Sequence, residues 1–242
     1  MTTHRDHRLT ALILGAAALA AVSIARTWDG PPADSLIFWA IVCLAGELMW
    51  IRLPLGRATL SMASCCQFAA LLVLPRGQAM ALTAMGGAFV EAAVLRKPAR
   101  RVLFNASQAA LSVGAASWAF AATSGLGSRL QPMLAHGQLL PFALAAAAYF
   151  LVNTGAVSLA VSLSEGVTPF AAWRRNFGHG YEILSSGALF SLGVLLATQY
   201  SAAGVAGTLL LALPLLLAYA GYRRSSRRPG EERVEAREAE AA

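Results

Sequence analysis

Apolar stretches recur from residue 9 to residue 222, with breaks of only a few residues between them. A helix needs roughly 20 apolar residues, with a range of about 17 to 25, to cross the hydrocarbon core of a bilayer. The pattern therefore predicts an all-α fold, a polytopic transmembrane helix bundle of about eight spans. The eight runs are Leu9–Ala25, Ser35–Ile51, Leu60–Leu74, Gln78–Leu95, Val102–Thr123, Gln138–Leu163, Gly180–Tyr200 and Ala203–Tyr222.

Two of these runs leave alternatives open. The third is short and is followed at once by Pro75, Arg76 and Gly77, so it is either a short span or one arm of a re-entrant hairpin. The first follows Arg5 and Arg8, as the apolar region of a signal peptide would. We expect an uncleaved span, because the run is long and no small-x-small cleavage site precedes a polar stretch. Cleavage would leave seven spans.

The same pattern divides the chain into three parts. Residues 1–8 are expected to form a cytoplasmic leader and residues 9–222 the transmembrane domain. Residues 223–242 form a charged tail with no apolar face, which predicts disorder. Proline and glycine account for the breaks between spans, as in residues 29–32 and 53–56 and at Pro98.

Composition supports a membrane class, because 57% of the residues are hydrophobic and 13% are charged, whereas a soluble domain carries about 25% charged residues. The net charge of +7 forms no stripe with interleaved aromatic residues, so we expect no nucleic-acid partner. With the N-terminus inside, 16 Lys and Arg residues fall on the inner side and 3 on the outer side: Arg26, Arg76 and Arg129. This bias predicts a bacterial inner-membrane protein with both termini in the cytoplasm.

Recognisable catalytic and metal-binding signatures are missing from the sequence. There is no H-E-x-x-H, G-x-S-x-G, phosphate-binding loop or dinucleotide fingerprint. Cys43, Cys65 and Cys66 lie in apolar runs without ligand spacing, so they are expected to be small core residues. We expect neither an enzyme nor a cofactor or metal site.

Three acidic residues nevertheless lie within the apolar runs: Glu47, Glu91 and Glu182. Ionisable side chains in a bilayer are costly, by about 2.5 to 3.5 kcal/mol at a helix centre, and they invite a functional hypothesis. Each acid lies five to seven residues from a basic loop, which places all three in one layer near the cytoplasmic end. Three amides extend this candidate ligand-binding site: Asn105 and Gln108 on the fifth span, and Asn153 deeper on the sixth.

Two interpretations of this layer remain open. The acids and amides would form a polar pocket that binds a small polar or cationic ligand or passes protons. Alternatively, the acids pair with Arg52, Arg96 or Arg101 and seat the helix ends, while the amides join neighbouring helices.

Several short segments together resemble the multi-span membrane region at the N-terminus of bacterial HD-GYP and GGDEF signalling proteins. They are Gly46-Glu47 with residues 51–54, residues 89–91, residues 103–108, residues 149–154, residues 163–166 and residues 173–177. The resemblance spans residues 35–222 and implies a sensor region. No HD-GYP or GGDEF domain follows Tyr222 in this sequence, so it implies no cyclic-dinucleotide chemistry.

The sequence therefore favours a stand-alone membrane module that binds a small molecule and acts through a cytoplasmic or membrane protein partner. A transporter component using the same acids is the second hypothesis, and a structural membrane protein without a ligand is the third. A transporter would show internal repeats or paired interrupted helices, and no convincing repeat is visible.

Overall fold

The computed structural model describes the backbone of residues 2–31, 33–52, 59–124 and 139–240. This part of the chain is mainly helical. In chain order its elements are α1 (Thr2–Thr27), α2 (Leu36–Leu48), β1 (Trp50–Arg52), β2 (Thr59–Ser61), α3 (Ala63–Val73), α4 (Arg76–Phe89), a π-helical segment (Val90–Val94), α5 (Ala99–Ser124), α6 (Leu139–Glu165), α7 (Pro169–Asn176) and α8 (Gly180–Glu240).

Each of the eight apolar runs contains helix, and in the described part of the chain three helical stretches are long and apolar enough to cross a membrane. They are Asp6–Thr27, Leu139–Glu165 and Gly180–Gly221. The second and third runs give shorter apolar helices, α2 with 13 residues and α3 with 11. At 1.5 Å per residue these helices are about 20 and 16 Å long, less than the hydrocarbon core.

The predicted all-α class is confirmed, and one two-stranded antiparallel ribbon of three residues a strand was not predicted. Strand β1 follows directly after α2 and pairs with β2, with Ile51 opposite Leu60. The second and third runs were predicted to remain helical through these residues. Three-residue strands are too short to show a two-residue periodicity against an apolar background. The predicted break at residues 53–56 lies outside the described residues, as does Arg129.

The last two predicted spans both lie in α8, where Gly204 interrupts the helix with a φ of 60° and a ψ of −146°. Only glycine adopts such a conformation at little cost. The α8 backbone then continues past Tyr222 to Glu240, through the segment predicted to be disordered. Alanine, glutamate and arginine, which fill the end of this segment, are strong helix formers. Helix α7 lies in the segment between the sixth and seventh runs, where no helix was predicted.

The core is built around α3, which packs chiefly against α8 and α2. Phe68 and Ala69 on α3 are completely buried. A Cβ atom at Gly193 on α8 would lie 2.7 Å from the carbonyl oxygen of Cys65, so this crossing requires glycine. On the other side of the bundle, α5 packs between α4 and α6. This arrangement brings the polar side chains of α2 to α6 between the helices.

Candidate functional site

Glu91 is the centre of a polar network between the helices. It is only 9% exposed. Its Oε1 and Oε2 atoms accept hydrogen bonds from Nδ2 of Asn105 at 2.7 and 2.9 Å. Lys97 adds an ion pair, with its Nζ 2.6 Å from Oε1. The carboxylate is thus held by one amide on α5 and one cation in the loop before α5.

The backbone around Glu91 departs from the regular α-helix. Residues Val90–Val94 form a π-helical turn, in which the Leu95 N–H donates to the Val90 carbonyl five residues earlier, at 2.9 Å. Arg96 follows with a φ of 49°, a left-handed conformation that costs a non-glycine residue about 1 to 3 kcal/mol. Such turns and strained residues occur preferentially at functional sites. The turn brings the Lys97 ammonium back onto Glu91.

Glu47 on α2 belongs to a second chain of hydrogen bonds. Nε2 of Gln67 donates to Oε1 of Glu47 at 2.8 Å, and the Tyr149 hydroxyl donates to Oε1 of Gln67. Gln67 and Tyr149 are both buried. Helices α2, α3 and α6 are therefore joined by polar contacts through the centre of the bundle.

The two carboxylates lie on neighbouring parts of the α2–α4 contact. A Cβ atom added at Gly87 of α4 would lie 3.7 Å from Oε1 of Glu47, so this carboxylate faces Gly87. Gly87 precedes Glu91 by four residues, which is about one helical turn. A Cβ atom at Gly87 would make only an ordinary van der Waals contact with the Glu47 carboxylate, which thus lies directly beside α4.

A third group of contacts connects α5, α6 and α7. Gln108 of α5 donates through Nε2 to the side-chain oxygen of Asn153 on α6. The next residue, Thr154, accepts a hydrogen bond from the indole Nε1 of Trp173 on α7 at 3.1 Å. Asn105 and Gln108 are three residues apart on α5, so this group and the Glu91 group start from one helix face.

Five of the six predicted site residues take part in these groups, and Glu182 does not. Glu182 lies in the first turn of α8, which packs mainly against α3 and not against α4 or α5. No contact among the described residues joins its carboxylate to the network. Its predicted place in the layer is therefore not supported by the structure.

Sequence reasoning missed Gln67, Tyr149 and Lys97. Gln67 left a signal, because it is an isolated amide in an apolar run. In the sequence analysis Lys97 contributed only to the count of basic residues that predicts the topology. Arg52, Arg96 or Arg101 were considered as partners of the acids. The structure instead pairs Glu91 with Lys97. Tyr149 left no signal, because its partner lies 82 residues away in the sequence.

Chemically, the network offers carboxylate and amide oxygens as acceptors and amide, hydroxyl and ammonium groups as donors. No group of three or more His, Cys, Asp or Glu residues that could hold a metal ion occurs in the described part of the chain. Cavities of about 380 and 530 Å³ occur in the described part of the chain, and none of the network side chains lines either one. The donors and acceptors of the network are paired with one another by hydrogen bonds.

The fold is mainly helical, and it contains apolar helices long enough to cross a membrane. The sequence matches the MASE9 family, a family of membrane-associated sensory-type domains, over residues 33–221. The chain therefore belongs to the MASE9 family. Searches of curated proteins and of solved structures found no match.

Proposed function

We propose that this chain is a sensory module of the bacterial inner membrane, which binds a small polar or cationic molecule at the network around Glu47 and Glu91. The observation that carries the proposal is the setting of Glu91. It is a buried carboxylate held by Asn105 and Lys97 on a π-helical turn, within a chain of a membrane sensory family.

A purely structural role for Glu91 would require fewer polar contacts than the structure shows. A salt-paired acid that seats a helix end needs one cation, whereas Glu91 also takes both hydrogen bonds from a single amide. The neighbouring acid Glu47 faces the same helix contact. Two carboxylates close together in a region of low polarity favour a cation or a proton between them. A ligand with N–H donors would satisfy both acids.

Binding at this site requires a conformational change, because the network side chains already bond to one another. A ligand would replace Lys97 or Asn105 as the partner of Glu91. The Lys97 side chain is 28% exposed, so solvent reaches this contact. The loop that carries Lys97 follows the π-helical turn, so its release would shift the start of α5. A ligand that prefers the released state would shift the population toward it.

The output of such a change would pass through the cytoplasmic side. Helix α5 is joined to α6 by Gln108 and Asn153, and α6 to α7 by Thr154 and Trp173. Helix α7 presents Arg174 and Arg175 at an exposed surface. We propose that a cytoplasmic or membrane protein partner reads this surface, and that the chain itself catalyses no reaction.

The experiment that tests the binding proposal is thermal stabilisation of the purified chain in nanodiscs across a panel of small metabolites. A ligand that binds the folded state raises its apparent stability by mass action. We expect a cationic or polar compound to stabilise the wild type but neither Glu91→Gln nor Asn105→Ala. The matched control Asn176→Ala removes an amide on α7 outside the network and should keep the shift. No shift with any compound would favour the structural alternative.

The proposed topology has eight spans and both termini in the cytoplasm, on the basis of the charge bias and the apolar runs. Fusions of a cytoplasmic fluorescent reporter and a periplasmic phosphatase after residue 242 test it. We expect fluorescence without phosphatase activity. Fusions after residue 98 should behave in the same way, whereas fusions after residue 76 should give phosphatase activity. The opposite result at any of these positions would overturn the span assignment.

A further inference from the structure

A cavity of about 380 Å³ lies at the other end of α4 from the polar network. It is bounded by the end of α1, the turn between α3 and α4, and the last turns of α5. Arg76, the first residue of α4, lines it and precedes Glu91 by 15 residues, which corresponds to about 22 Å along the helix. The charge bias predicts that this end faces the outside of the cell. The cavity is thus separate from the proposed ligand site.

Two arginines, Arg26 and Arg76, line this cavity. The described part of the chain contains no ion pair with either of them, although the exposed carboxylate of Asp29 also borders the cavity. The Nε atom of Arg76 is buried and has no hydrogen-bond partner among the described residues. A buried donor is costly to leave unpaired, so this cavity favours a molecule that carries a hydrogen-bond acceptor.

The remaining walls are mainly apolar and include Leu71, Leu72 and Phe120. Gly77 fixes the wall next to Arg76, because its Cα packs against the backbone of Thr27 and Trp28. A Cβ atom there would lie only 2.6 Å from the Trp28 nitrogen. The cavity therefore combines a cationic rim with an apolar floor of defined shape.

We propose that this cavity binds an amphiphilic monoanion, an oxyanion joined to a short apolar body. The guanidinium groups of Arg76 and Arg26 hold the oxyanion, and the apolar body lies against Leu72 and Phe120. Guanidinium groups suit such acceptors because they donate several hydrogen bonds in a fixed plane. The anion has two chemical sources, a free organic carboxylate or the phosphate of an anionic phospholipid.

The test uses the full chain in phosphatidylcholine nanodiscs, with benzoate and hexanoate as probes. Benzamide and hexanamide, at matched ionic strength, serve as neutral controls of the same shape. We expect the carboxylates to raise the melting temperature by several degrees and the amides to leave it unchanged. Arg76→Gln should abolish the shift. The exposed Arg26→Gln should weaken it without disturbing folding, and Arg100→Gln, at the other end of the bundle, should retain it.

A second arm separates the two sources by replacing the lipid with phosphatidylglycerol. A lipid-derived anion predicts that these discs stabilise the wild type relative to Arg76→Gln and that carboxylates add nothing further. A free-anion site predicts that the carboxylate shift persists in both lipids. Equal shifts with carboxylates and amides, shifts that survive both Arg76→Gln and Arg26→Gln, or no effect in either arm would overturn the proposal. These results do not depend on Glu91 or Asn105, so they do not test the proposed ligand site at Glu91.

Discussion

Replacement of Asn105 by alanine tests the contact on which the candidate site depends. The change removes both hydrogen bonds to the Glu91 carboxylate, at 2.7 and 2.9 Å, and leaves the ion pair with Lys97 at 2.6 Å. A hydrogen bond to a charged group contributes about 1.5 to 3 kcal/mol in soluble proteins. In membrane proteins, double-mutant cycles give an average of about 0.6 and a maximum of about 1.7 kcal/mol per bond.

The energy per hydrogen bond is expected to lie toward the lower, membrane-protein range, because the Glu91 side chain is 12% exposed and water can replace some of the lost contact. We therefore expect Asn105→Ala to lower the free energy of unfolding by about 1 to 2 kcal/mol. In a background of Glu91→Gln, which removes the charge, the same change should cost clearly less. The assay is reversible denaturant unfolding in bicelles of the wild type, both single variants and the double variant.

The coupling energy from this double-mutant cycle tests whether Asn105 and Glu91 interact directly. Residues in direct contact show coupling of about 0.5 to 3 kcal/mol, whereas independent sites add within about 0.3 to 0.5 kcal/mol. Asn176→Ala serves as a control for truncation of an amide, and it should be additive with Glu91→Gln. If Asn105→Ala and Glu91→Gln were additive as well, the bidentate contact would contribute nothing and the reasoning about the network would be refuted.

Two further changes test other parts of the account by the same unfolding assay. Gly77→Ala should destabilise the chain by about 1 to 3 kcal/mol, because the new Cβ would lie 2.6 Å from the Trp28 nitrogen. The matched Gly86→Ala meets no atom within 4 Å and should be neutral or stabilising. Similar losses of stability in the two variants would contradict the close packing at Gly77. Gln67→Leu should lower the free energy of unfolding by about 1 to 3 kcal/mol, because it removes the acceptor of the buried Tyr149 hydroxyl. A stability equal to that of the wild type would show that this hydrogen bond is not stabilising.

The helices of the apolar runs could be predicted from the sequence because their signal is local, whereas α7, which lies outside these runs, was not predicted. An apolar helix requires only a run of apolar residues bounded by proline, glycine or charge. The break between α3 and α4 falls at Pro75, as predicted, although Arg76 and Gly77 already belong to α4. The ribbon of Trp50–Arg52 and Thr59–Ser61 could not be predicted in this way. Its stability comes from pairing between segments, and its strands are too short to carry a pattern.

The site was predictable as a set of residue types but not as a set of partners. Acids and amides within apolar runs are conspicuous, and Glu91 with Asn105 was found on that basis. Glu182 lies apart from the network for a geometric reason, because depth along a helix can be read from residue spacing but the packing neighbours of α8 cannot. The ion pair with Lys97 depends on a π-helical turn, which the sequence does not reveal. Contacts such as Gln67 with Tyr149 require the folded structure.

The central proposal is that a ligand bound at Glu91 releases the loop of Lys97, which follows the π-helical turn at Val90–Val94, and shifts the start of α5. Hydrogen exchange measures this directly in the full chain in nanodiscs, with and without the compound that stabilises the wild type. We predict that exchange changes at the backbone amides of residues 90–97 and at the start of α5, and that Glu91→Gln abolishes the change. An unchanged exchange rate at these amides, while the compound still stabilises the wild type, would contradict the account.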